Sequence, residues 1–139
     1  MKQFTLILVL FISQFVFAQK IYTNKQVDVQ PTFSGCNNKI DKDCFNKKII
    51  SRLTEQITDF ITTLPKGKYS SVVEFTINED GKFSNYTSKG NKKLGEKSIT
   101  ALKNLILNQN VNKLKVIPAN IKGKSVKMKY SLPVKIVID

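Results

Sequence analysis

The last stretch of the chain limits the fold more than any other feature. Over the final thirteen or so residues Val126, Met128, Tyr130, Leu132, Val134, Ile136 and Ile138 alternate with Ser125, Lys127, Lys129, Ser131, Pro133 and Lys135. A period of two puts every apolar side chain on one face of a strand, and that face must be covered by another layer. Thirteen residues at about 3.3 Å each would span roughly 43 Å, about twice a usual strand. Pro133 cannot donate to a ladder, so the strand lies at a sheet edge or carries a bulge there.

Two more strands precede it, and the first shares this period. Tyr69, Ser71, Val73, Phe75 and Ile77 alternate with Ser70, Val72, Glu74, Thr76 and Asn78. Asn78-Glu79-Asp80-Gly81 then supplies a turn in which Gly81 takes positive φ, and residues 82–88 complete a hairpin. Phe83 and Tyr86 stand three apart, which demands either a bulge or one ring on each face. A loop at 89–91 leads onward.

The covering layer is helical. Phe45, Ile49, Ile50, Leu53, Ile57, Phe60, Ile61 and Leu64 fall at helical spacing, with Asp41 or Asp43 as cap and Pro65 and Gly67 as stop. Leu94, Ser98, Ala101, Leu102, Leu105 and Ile106 make a narrower stripe, weakened by Gly95 and ending near 108–110. Small Ser98 and Ala101 would let this helix approach a sheet closely. A connection containing Ile117-Pro118-Ala119 joins it to the final strand. Helix, strand, strand, helix, strand predicts an α+β fold with both helices on one face of a three-stranded antiparallel sheet.

Before the first helix, residues 19–40 show no helical period, and Gln30-Pro31-Thr32-Phe33-Ser34-Gly35 reads as an extended lead-in with a turn. Residues 1–18 have the pattern of a signal peptide: Lys2, an apolar run over 4–12, and Val16-Phe17-Ala18 before Gln19. The alternative is an uncleaved inner-membrane anchor. Residues 4–18, interrupted by Ser13 and Gln14, fall short of the about 20 needed to span. Without a Cys at the junction, lipid attachment is not expected. The chain thus divides into a signal peptide (1–18), a lead-in (19–40) and one domain (41–139), with no membrane span after cleavage.

Export makes Cys36 and Cys44, with seven residues between them, a disulfide candidate. Two free thiols are the alternative, whereas zinc needs about four ligands that two thiols without His cannot supply. The chain has no His at all, which removes Ser-His and Cys-His nucleophiles and the commonest metal ligand. Asp41, Asp43 and Glu55, or Glu74 and Glu79, would have to serve as paired carboxylates, yet their neighbours are lysines and turn residues. No catalytic residue, cofactor or metal is expected.

The motifs resemble the carboxy-terminal domain of TonB energy transducers, in the short, stand-alone form found in Bacteroidetes. Pro31, Phe33 and Gly35 match its opening motif, with Ser34 in place of a second proline, and Val73, Phe75, Ile77, Asp80 and Gly81 match its Val-x-Phe-x-Ile-x-x-Asp-Gly strand. A helix from Leu94 follows, then Pro118, Ala119, Gly123, Lys124 and Val126, and a close through Tyr130, Leu132, Pro133 and Val134. The likeness covers about 29–138. It departs where Gly95 and Lys97 replace an acidic residue and Ile117 an aromatic. The resemblance implies a periplasmic binding module in support of transport. Its partner would be an extended plug segment of an outer-membrane TonB-dependent receptor, or another envelope protein, paired to a sheet edge.

An exposed edge recognises peptides by its backbone. The candidate is the final strand at Ser125, Lys127, Lys129 and Ser131, whose lysines either discourage aggregation or attract an acidic peptide. The same edge allows a homodimer. The rival reading is a basic polyanion-binding or structural envelope protein, prompted by 23 Lys and Arg against 10 Asp and Glu, a net +13, and by Lys89, Lys92, Lys93 and Lys97. The basic residues are spread along the chain without a stacking platform, which argues against nucleic acid.

Overall fold

The computed structural model describes residues 20–37, 43–107 and 115–139. The expected signal peptide and its junction, Asp41 as a cap, and the helix end at 108–110 lie outside the described residues. In chain order the elements are β1 (Ile21–Tyr22), β2 (Thr32–Phe33), α1 (Cys44–Thr62), β3 (Gly67–Ile77), β4 (Phe83–Gly90), α2 (Lys92–Leu107), β5 (Val116–Ile117), β6 (Asn120–Ile121), β7 (Lys124–Ser125) and β8 (Lys127–Ile138).

The fold is α+β. β3 lies at the centre of the main sheet, antiparallel to β8 on one side and β4 on the other. Its register with β8 runs unbroken from Gly67↔Ile138 to Ile77↔Met128 and sets Pro133 opposite Val72. Pro133 therefore needs no bulge and marks an edge. The expected long strand is shorter at its start: Val126 donates its N–H to the Ala119 carbonyl at 2.9 Å, and Ser125 belongs to β7.

The sheet also has four strands in the order β1-β8-β3-β4, not three, and it is mixed, because β1 pairs in parallel with β8 at Ile21↔Lys127 and Tyr22↔Met128. Two residues carry no readable period, so only tertiary pairing makes them a strand. The same holds for β2 with β5, whereas β6 and β7 pair with each other in a local hairpin. That hairpin turns on Lys122 and Gly123, at φ 52° and 78°, and the glycine takes the second left-handed position without a steric cost.

Between β3 and β4 the register slips. Glu74 faces Thr87 and Thr76 faces Ser84, leaving one extra residue on β4 where Asn85 adopts φ 53°. This bulge puts Phe83 and Tyr86 on one face, stacked on Phe75 with centroids 4.5 and 6.0 Å away.

The helices share one hydrophobic cluster with Val73, Phe75 and Ile77 of β3 and Leu132 and Val134 of β8. α1 contributes Phe45, Ile49, Leu53 and Ile57. Asp43 stands at its N-cap without a side-chain capping bond; its carbonyl accepts from the Lys47 N–H at 3.0 Å. α2 is capped by Asn91, whose Oδ1 accepts from the Leu94 N–H at 3.0 Å. β4 continues through Lys89 and Gly90, which shortens the expected loop to Asn91. Gly95, read as a weakness of this helix, lies tight against β4: a Cβ there would meet Ser88 Oγ, and also Ser88 Cβ at 2.7 Å.

The lead-in belongs to the same core. Phe33 is 1% exposed and its ring lies 4.7 Å from that of Phe45. Cys36 and Cys44 are bonded, with Cα atoms 5.8 Å apart, which ties the lead-in to the first turn of α1.

Candidate functional site

A sheet order of β1-β8-β3-β4 leaves two outer edges. That of β4 is broken by the Asn85 bulge, a feature that discourages strand addition. β8 is regular and far longer than its outer neighbour: β1 covers it at Lys127 and Met128, and among the described residues no strand lies beside the edge from Lys129 to Ile138.

Pro133 shows which backbone groups face outward. In an antiparallel ladder the N–H and C=O of successive residues point alternately to the two sides. A proline is accommodated where its missing N–H would have pointed away from the paired strand. Pro133 is paired with β3 without a break, so the groups of Lys129, Ser131, Lys135 and Val137, which share its parity, face the open edge.

A groove of about 530 Å³ runs beside this edge. Ile50, Thr54, Ile57 and Ile61 of α1 form one wall, and Val134, Ile136 and Ile138 of β8 form the other. An extended chain laid on the edge could place alternate side chains in this apolar groove and the rest on the opposite, lysine-bearing face.

The anticipated residues separate on this surface. Ser125 is exposed on β7, off the edge. Lys127 is already paired with Ile21. Lys129 is the first position beyond β1, and Ser131 is exposed on the open stretch. Lys129 Nζ lies 2.9 Å from Glu74 Oε2, and this hydrogen bond and charge, with some help from Lys89, hold the Glu74 carboxyl below the usual carboxylate range. Pro133, Lys135, Val137 and the α1 wall were not assigned to the site from sequence. The proline parity could have pointed to the first three, whereas nothing local could have set α1 beside them.

Other hollows lie elsewhere on the surface. One lies between β1 and the helix-free side of β3 and β8, lined by Ile21, Tyr22, Glu74, Asn85 and Lys129. Another, on α1, is lined by Lys47, Lys48, Ser51, Arg52 and Glu55. Among the described residues no group of three or more His, Cys, Asp or Glu could hold a metal ion, and no helix is long and apolar enough to cross a membrane. Comparison with protein-family models, curated proteins and solved structures gives no match.

Proposed function

We propose that this chain is an exported periplasmic binding module that captures an extended peptide on the outer edge of β8, in the manner of a TonB carboxy-terminal domain. The observation that carries the reading is the open edge from Lys129 to Ile138 with an apolar groove alongside it. Backbone pairing supplies affinity in such a mode and the groove supplies selectivity for alternate side chains. The motif resemblance adds the class of partner, an extended plug segment of an outer-membrane receptor, and a second copy of the chain is the competing occupant of the same edge.

Replacing Ser131 by Pro removes an outward N–H without touching the β3 ladder, and Thr54→Lys fills the groove. Both should abolish binding of receptor plug peptides in fluorescence anisotropy, or self-association in sedimentation, with far-ultraviolet circular dichroism unchanged. Lys135→Ala should only weaken binding and flatten its salt dependence. Polyanion binding reverses that order, since charge then dominates. Folded Ser131→Pro protein that binds and self-associates like the parent would sink the edge-pairing reading.

A further inference from the structure

The strand register gathers onto one surface lysines that are scattered in sequence. Directly paired residues share a face of a sheet. On the side away from the helices β8 presents Lys127, Lys129 and Lys135, β3 presents Lys68, and β4 presents Lys89. Glu74 is the one carboxylate that this register places among them, and it is held by Lys129. The other four lysines form no ion pair among the described residues. On the outer side of the helices, by contrast, Arg52 pairs with Glu55 and Lys92 with Glu96.

The same face carries exposed apolar tips. Val72, Val137 and Ile21 are 37%, 61% and 44% exposed. Each is registered against a lysine: Val72 with Lys89, Val137 with Lys68, and Ile21 with Lys127. Lysines interleaved with apolar tips on an open sheet face complement a surface that is anionic outside and apolar just beneath. The β3, β4 and β8 positions of this face include no aromatic residue; Tyr22 of β1 borders it, with Lys20 Nζ 4.9 Å from its ring centroid, and a single ring is not the run of stacking rings that single-stranded nucleic acid uses.

We infer that the helix-free face of the main sheet docks on an anionic lipid bilayer, with Lys68, Lys89, Lys127 and Lys135 at the headgroups and Val72 and Val137 entering the interface. This inference does not rest on the peptide-binding reading. The β8 edge would lie along the bilayer surface, with the α1 groove on the side turned away from it.

The full chain contains no Trp, so a single introduced indole reports one place. Val137→Trp marks the proposed face, and Gln56→Trp marks the exposed side of α1 as a control. Each is mixed with vesicles of brominated phosphatidylcholine, alone or with roughly a third phosphatidylglycerol. The Val137→Trp indole should be quenched only by the anionic vesicles, the Gln56→Trp indole by neither, and about 0.5 M salt should reverse the effect. Adding Lys68→Gln and Lys89→Gln to Val137→Trp should weaken this partition about 25-fold. Equal quenching at the two indoles, no quenching of the Val137→Trp indole, or quenching indifferent to the lysine changes would overturn the assignment. So would a response to soluble heparin as strong as that to anionic vesicles.

Discussion

At the scale of single residues, Gly95 shows how packing overrides propensity. In an exposed helix Gly→Ala gains about 1 kcal/mol. Here the new Cβ would press on Ser88 Oγ, with Ser88 Cβ at 2.7 Å and Ser71 Oγ at 2.9 Å. Ser88 sits in a paired strand and its Cβ cannot retreat without the backbone. Overpacking of this kind costs about 1–3 kcal/mol, so Gly95→Ala should lower stability in urea unfolding, and Ser88→Gly in the same chain should restore most of the loss. A stabilised Gly95→Ala protein would mean that α2 lies farther from β4.

Two phenols make a second residue-scale prediction. Burial pushes both Tyr86 and Tyr130 up to about 12, and the Asp43 charge adds to the effect at Tyr130. Tyr130 also donates its hydroxyl to Asn46 Oδ1 at 3.2 Å. A tyrosine with a raised folded value keeps its proton while the unfolded chain loses it, so stability is intact below about pH 10 and falls between about 10 and 12. The loss should reach about 1–2 kcal/mol per ring by pH 12, discounted for partial exposure. Urea midpoints at pH 9 and pH 11.5 measure it, and Tyr86→Phe should flatten the decline.

At the scale of elements, what could be read in advance follows from period. α1, α2, β3 and β8 each repeat an apolar position often enough to be recognised, and β4 is legible from the turn that precedes it. The hairpin turn closes as its residues imply: Gly81 has φ 80°, and the Lys82 N–H bonds to Asp80 Oδ1 at 3.0 Å. The spacing of Phe83 and Tyr86 required an irregularity, and its form, a bulge at Asn85, depends on both rings meeting Phe75. The two-residue strands β1, β2, β5, β6 and β7 are too short to show a period; β1, β2 and β5 exist only through partners far away in the chain, and β6 and β7 through each other across a tight turn. The candidate site divides the same way. The strand and the proline that marks its edge were legible, but the cover over Lys127 and the groove wall on α1 were not. Both arise where segments distant in sequence meet.

At the scale of the whole molecule, the lead-in and the domain share one core. Aromatic rings run in contact from Phe33 through Phe45, Tyr130 and Phe75 to Phe83, which links the lead-in to the hairpin across the entire core. Four further ties hold the lead-in: β1 on β8, Val29 bridged to Asn120, β2 on β5, and the Cys36–Cys44 bond. Loss of the disulfide should cost about 2.5 kcal/mol by release of a short loop in the unfolded chain. Phe33→Ala should cost about 3–5 kcal/mol through the cavity it leaves beside Phe45. Both changes loosen the junction between the lead-in and α1, so their combined cost should differ from the sum by more than about 0.5 kcal/mol. Urea unfolding followed by far-ultraviolet circular dichroism and by a fluorophore at Lys25, exposed in the lead-in, should give coincident transitions in the oxidised protein. A fluorophore transition well below that of the helices would make the lead-in a separable strap, and Phe33→Ala would then leave the helical transition in place.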